Sequence, residues 1–251
     1  MAGSRQFLAL IRIPDLSGKL RGRFVDSFEL SLCMLLLSCS IQPAIPSVPD
    51  SRIEDMVRSD AALIVSVTED ADNFSQYQFL LSNFPRQDLL GMSVGNRRIY
   101  ISYNLASSAL NNSKYRWLLR QTIAHEIAHE AAQHAQREQM MWFRHGTLTL
   151  GASGTDVGLP WYVRLYNYSA EKELEADLKG LGYWSKVGWD CRIWVDILEN
   201  FQKQNYTGDM YHPTDKRLQQ ARRACDVQRT PADTPELDTR EPDFSFTGAA
   251  C

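Results

Sequence analysis

His125-Glu126-Ile127-Ala128-His129 spells H-E-x-x-H inside a stretch that reads as one long helix. Residues four apart lie on one helix face, so both imidazoles can reach a single metal ion. Glu126 is displaced by roughly 100° around the axis but stays beside that face. Two neutral imidazoles suit zinc, and a carboxylate next to them can take the proton of a zinc-bound water. The pattern therefore demands a helix presented to a buried or half-buried site, with a third ligand supplied from elsewhere in the chain. Taken alone it also occurs by coincidence on solvated helix faces, so the downstream sequence decides.

The surrounding elements follow from periodicity and turn residues. Asn112 or Ser113 caps a helix that continues through the motif toward His145 and stops at Gly146. Leu119, Ile123 and Ile127 recur every four residues and give it a buried stripe. Asp50 or Ser51 caps an earlier helix through Met56, and residues 51–90 read as helix and short irregular pieces. Arg98-Ile-Tyr-Ile-Ser-Tyr103 alternates apolar and polar residues and is the clearest strand, entered from the turn residues Gly95-Asn96. Residues 151–160 read as a loop. A second strong helix starts near Ser169, and further helices cover about 189–204 and 213–226. The expected class is α+β, predominantly helical, with a small sheet or hairpin.

The ends read differently from the middle. Within residues 1–24, Arg5, Arg12, Lys19, Arg21 and Arg23 stand against one acid, Asp15; the apolar run Leu30–Leu37 follows. A basic region, a short apolar core and small residues form a secretory signal, and the run falls short of the roughly 20 apolar residues of a membrane span. Leu36-Leu37-Ser38-Cys39 resembles a bacterial lipobox, which makes Cys39 a candidate lipidation site and 1–38 the leader. Residues 39–50 hold three prolines and read as a tether; 51–229 is the folded body; 230–251, with three more prolines and few large apolar residues, reads as disordered. The net charge of −3 excludes a basic nucleic-acid surface as the driving feature. In an oxidising compartment Cys191 and Cys225 are the natural disulfide pair, with Cys251 as a rival partner and free thiols as the alternative.

A zinc site needs a third ligand and an open position. The metzincin extension requires Gly at 132 and His at 135, where this chain has Ala132 and Ala135. On a continuous helix His134 points about 140° away from His129 and reads as a surface histidine, as does His145. Glu173 and Asp177 are four apart and share a face, so one can bind metal while the other orients a histidine; an acidic solvated patch is the alternative.

H-E-I-A-H at 125–129 followed by E-L-E-A-D at 173–177 resembles the gluzincin family that includes HtpX, the CAAX prenyl proteases and the periplasmic BepA- and LoiP-type proteases. The resemblance covers about residues 95–220. It implies a zincin-like metallopeptidase domain, one Zn²⁺ per chain held by His125, His129 and Glu173, Glu126 as the general base, and Asp177 behind the ligands. His212-Pro213, with Arg217 five residues after the histidine, matches a third family element, in which the histidine is a fourth ligand or a transition-state donor. By the same analogy strand 98–103 offers its edge to an extended substrate. Two departures stand out: Ser93-Val94-Gly95-Asn96 replaces the usual Pro-Gly-Gly-like turn, and no multi-helix membrane region or tetratricopeptide array is seen, so the short lipoprotein type is the better match. The implied activity is zinc-dependent cleavage of proteins or peptides, in quality control of outer-membrane proteins, by a lipid-anchored periplasmic enzyme. The rivals are a zinc-stabilised chaperone that binds such proteins without cutting them and a structural lipoprotein with no metal.

Replacing Cys39 with Ser is expected to release the protein from membranes on fractionation; continued attachment would rule out the lipid anchor.

Overall fold

The computed structural model describes residues 45–145, 168–204 and 214–228. Its elements are α1 (Ser51–Val65), a 3₁₀ turn (Ala71–Gln76), β1 (Gln78–Ser82), β2 (Gly91–Ser93), β3 (Arg98–Ser102), α2 (Tyr103–Ala109), α3 (Ser113–Ala131), α4 (His134–His145), α5 (Ala170–Lys186), α6 (Cys191–Lys203) and α7 (Thr214–Gln228). The class is α+β, predominantly helical with one three-stranded sheet. No helix among the described residues is long and apolar enough to cross a membrane.

Local chemistry sets the helix starts. The Asp50 side chain accepts from the Ile53 amide, that of Asn112 from Lys114 and Tyr115, and that of Asp190 from Arg192, each satisfying an otherwise orphaned N–H. Burial sets the orientations. On α5, Glu173, Ala176, Asp177, Gly180, Leu181, Tyr183 and Trp184 form one inward stripe at helical spacing. Helix α3 differs: Leu118, Leu119 and every residue from Gln121 to Glu130 are buried, so it runs through the middle of the body.

The sheet order is β1-β3-β2, with β1 parallel and β2 antiparallel to β3. Phe79, Leu81, Ile99 and Ile101 face the main core with α1, α2 and α3. Met92, Val94 and Tyr100 face a smaller cluster with Ile45, Ala135 and Tyr168.

Four sequence expectations change. Strand 98–103 is not an edge: β3 lies between β1 and β2, so its backbone is paired on both sides. Strand β1 arises within the region 51–90 read as helix and irregular pieces, and β2 just beyond it, because their apolar residues gain strand character only from pairing with β3. The helix through the motif stops at Ala131, and Gln133 at φ 56° takes the left-handed conformation that starts α4 in a new direction. The end of the expected tether is docked: the Val48 amide donates to the Leu81 carbonyl at 2.8 Å, the Ser82 hydroxyl to the Pro46 carbonyl at 2.8 Å, and Ile45 is buried. The loop at 151–160 and the tail from 230 lie outside the described residues.

Two features bind the helices. Cys191 and Cys225 form a disulfide with Cα atoms 5.6 Å apart, tying the start of α6 to the end of α7. Gly180 lets α5 approach α3: a Cβ there would sit 3.1 Å from the Ala124 carbonyl oxygen and 3.0 Å from the Trp194 ring. Gly182, two residues on, has open space.

The pair makes a sign test. Gly182→Ala should stabilise by about 0.5–1 kcal/mol through helix propensity. Gly180→Ala should instead destabilise by about 1–3 kcal/mol, because backbone cannot yield as a flexible side chain does. Urea unfolding measures both, and stabilisation by Gly180→Ala would contradict the close approach.

Candidate metal centre

Helix α3 presents His125 and His129 one turn apart, and α5 crosses it with Glu173 and Asp177 one turn apart. His125 Nε2 is 3.0 Å from His129 Nε2 and 3.0 Å from Glu173 Oε2; His129 Nε2 is 3.4 Å from Glu173 Oε2. All three side chains are buried, and the group could hold a metal ion.

The other nitrogen of His125 is 2.9 Å from Asp177 Oδ1. Asp177 is itself gripped by Arg217 of α7, with Nε–Oδ2 2.5 Å and Nη2–Oδ1 2.8 Å, the two-pronged geometry of guanidinium and carboxylate. Burial alone would raise the Asp177 pKa; the Arg217 charge and hydrogen bonds, with those of His125, outweigh it and hold the carboxyl well below its usual range. Burial opposes the charged form of His125 too, but Asp177 and Glu173 outweigh it and push its pKa up to about 10. In the polypeptide alone this site therefore favours a positive charge at His125.

Glu126 is buried on the adjacent face, and its Oε2 accepts from the Ser93 amide at 2.7 Å. The register explains why that amide is available. Leu90 and Val94 hydrogen-bond to β3, so Gly91 and Ser93 turn their backbone groups outward from the sheet. Only glycine fits at 91: a Cβ would lie 2.8 Å from Glu126 Cγ and 2.8 Å from Thr122 Cγ2. The outward Ser93 carbonyl accepts from the Tyr168 hydroxyl at 2.8 Å, and the Tyr168 ring stacks on His129 at 4.4 Å. One residue beyond the motif, Glu130 accepts from the Arg97 amide at 2.8 Å and from the Ser93 hydroxyl at 3.2 Å. It thereby pins a hairpin turn whose Gly95, Asn96 and Arg97 all have positive φ.

His134 departs from expectation. It is fully buried, not on the surface, with Nδ1 2.8 Å from His129 Nδ1 and Nε2 3.3 Å from Glu175 Oε2. The bend at Gln133 redirects it; nothing in the residue type of Gln133 announces a left-handed backbone, which Gly or Asn would have done. Tyr168 and Ser93 carried no sequence signal either. His212, Cys39 and Cys251 lie outside the described residues.

No protein-family model matches the chain, and no curated protein matches it.

The depressed Asp177 pKa fixes a pH dependence. A carboxyl whose folded-state pKa is lowered stabilises the fold above its unfolded value of about 3.9, and that stability is lost as pH falls through the folded value. With chelator present, stability should fall on acidification below about pH 4. Asp177→Asn should cost about 3 kcal/mol at neutral pH, by removing the carboxylate charge that faces the largely buried Arg217 guanidinium, and should flatten the acid limb. Urea unfolding across pH checks both; an unchanged acid limb would remove Asp177 from the role.

Proposed function

We propose that the protein is a zinc-dependent endopeptidase, with a zincin-like fold, acting on proteins or peptides of the bacterial envelope. The observation that carries this reading is the buried triangle of His125 Nε2, His129 Nε2 and Glu173 Oε2, with the Glu126 carboxylate on the neighbouring helix face. Ligands about 2.0–2.1 Å from a tetrahedral Zn²⁺ stand roughly 3.3–3.5 Å apart. The triangle is one face of such a tetrahedron drawn slightly inward. Two nitrogens and one carboxylate oxygen are the donor set of catalytic zinc, which keeps a further position for water or substrate.

A bound Zn²⁺ would supply Lewis acidity, making water acidic and polarising a carbonyl. The chain's own residues would do the rest. Asp177, fixed by Arg217, holds the Nδ1–H of His125 and so turns Nε2 toward the centre. Glu126 is the proton acceptor: it carries a buried carboxylate and is held at the sheet edge by the Ser93 amide. An extended substrate cannot pair with β3, which is central, nor with the outward edge of β2, where the Ser93 amide and carbonyl are taken by Glu126 and Tyr168. The leader and Cys39 suggest a lipid-anchored periplasmic protein, and resemblance to the envelope proteases suggests misassembled outer-membrane proteins as substrates.

Glu126→Gln should retain about one zinc per chain by mass spectrometry and lose about 10²–10⁴-fold in cleavage of an unfolded protein substrate. Glu173→Ala should lose the zinc. Full function of Glu126→Gln in cells, with zinc bound, would refute the peptidase and favour a zinc-stabilised binding protein.

A further inference from the structure

His134 is buried, yet it belongs neither to the three-ligand group nor to the apolar core. It opens α4 immediately after the left-handed Gln133. Its ring meets His129 edge-on at 4.9 Å and lies 5.6 Å from the Tyr168 ring, so its orientation is fixed by packing.

Two ring nitrogens 2.8 Å apart share one proton, with one donating and the other accepting. The next contact decides the direction. Glu175 is a half-exposed carboxylate and can only accept, so His134 donates to it through Nε2–H. A neutral imidazole carries one N–H, which leaves His134 Nδ1 as the acceptor. His129 must then donate through Nδ1, and its Nε2 keeps a bare lone pair directed at His125 Nε2 and Glu173 Oε2. The opposite direction would set the His134 Nε2 lone pair against the Glu175 carboxylate and put a proton on the very nitrogen that faces the other two ligand atoms.

We propose that His134, backed by Glu175, is a positioning residue that holds His129 in its Nδ1–H tautomer and so makes Nε2 a metal ligand. This rests on reading His125, His129 and Glu173 as the metal centre. The two histidine ligands then have separate acceptors of different kinds. His125 has a carboxylate, Asp177, from α5. His129 has an imidazole from α4, itself polarised by a carboxylate from α5. The turn at Ala132–Gln133 acquires a role: it folds the chain back so that a residue five positions beyond His129 reaches the far side of the His129 ring.

The test uses the full-length protein, with Zn²⁺ affinity measured by competition with a chromophoric chelator. His134→Phe keeps the ring and removes both nitrogens; it should weaken Zn²⁺ binding by about 10–100-fold, the usual loss when a histidine ligand's partner is removed. His134→Asn returns an acceptor near the Nδ1 position and should restore most of the affinity. Glu175→Ala, at a half-exposed site, should weaken binding in the same direction without disturbing the fold. Nitrogen-15 spectra of the wild type supply a readout independent of metal and of the variants' folding: His129 should carry its proton on Nδ1, with a coupling across the hydrogen bond to His134. Wild type that shows this tautomer but binds no zinc would sink the metal-centre reading alone. A His129 proton on Nε2 in the wild type, or folded His134→Phe and Glu175→Ala proteins that bind zinc as tightly as wild type, would overturn the proposal.

Discussion

A polar helix buried on every side governs this structure. Between Gln121 and Glu130, α3 carries Gln121, Thr122, His125, Glu126, His129 and Glu130, all shielded from water. An unpartnered buried polar group costs about 2–7 kcal/mol, so the fold must deliver a partner to each. Thr122 uses its own helix, donating to the Leu118 carbonyl. The others draw in distant chain: Gln121 reaches Trp194 on α6, Glu126 and Glu130 bind the β2–β3 hairpin, His125 meets Asp177 on α5, and His129 meets His134 on α4. The placement of the hairpin, α4 and α5 is thus set by the polar requirements of one helix, while the apolar stripe Leu119, Ile123 and Ile127 seats it in the core.

That division explains what the sequence disclosed. Caps and buried stripes located the start of α3 and the spans of α5, α6 and α7, because each leaves a pattern in neighbouring residues; the end of α3 at Ala131 left none. The two histidines and the two α5 carboxylates were legible for the same reason: each pair is one helical turn apart, and a shared face is a local property. Strands β1 and β2 were not legible, since five and three residues carry little periodicity and their pairing is with residues farther along the chain. His134 was misplaced because its position depends on a single backbone dihedral at Gln133. Ser93 and Tyr168 were invisible because their contacts are made with residues far along the chain, through a main-chain amide and carbonyl, two hydroxyls and a ring face, in no local pattern.

The arrangement also separates the two acidic residues of α5, which sequence alone could not do. Both lie one turn apart on a face toward His125. Asp177 faces Nδ1 and spends both oxygens on Arg217, which keeps it ionised and immobile. Glu173 stands on the opposite side of the same ring, where His125 Nε2 and His129 Nε2 converge. A carboxylate already saturated by a guanidinium is a poor ligand and a good orienter; one that meets two imidazole nitrogens is placed to be a ligand. The electrostatics agree with that division. Around His125 stand two carboxylates and one guanidinium, an imbalance of one negative charge before Glu126 is counted, and the ring's raised pKa expresses the attraction of that pocket for a cation. A proton on Nε2 and a metal ion would compete for the same lone pair. The field that raises the histidine's proton affinity is therefore also the field that would draw a divalent ion to the three atoms, and Arg217 tempers it by removing Asp177 from the competition for the ion.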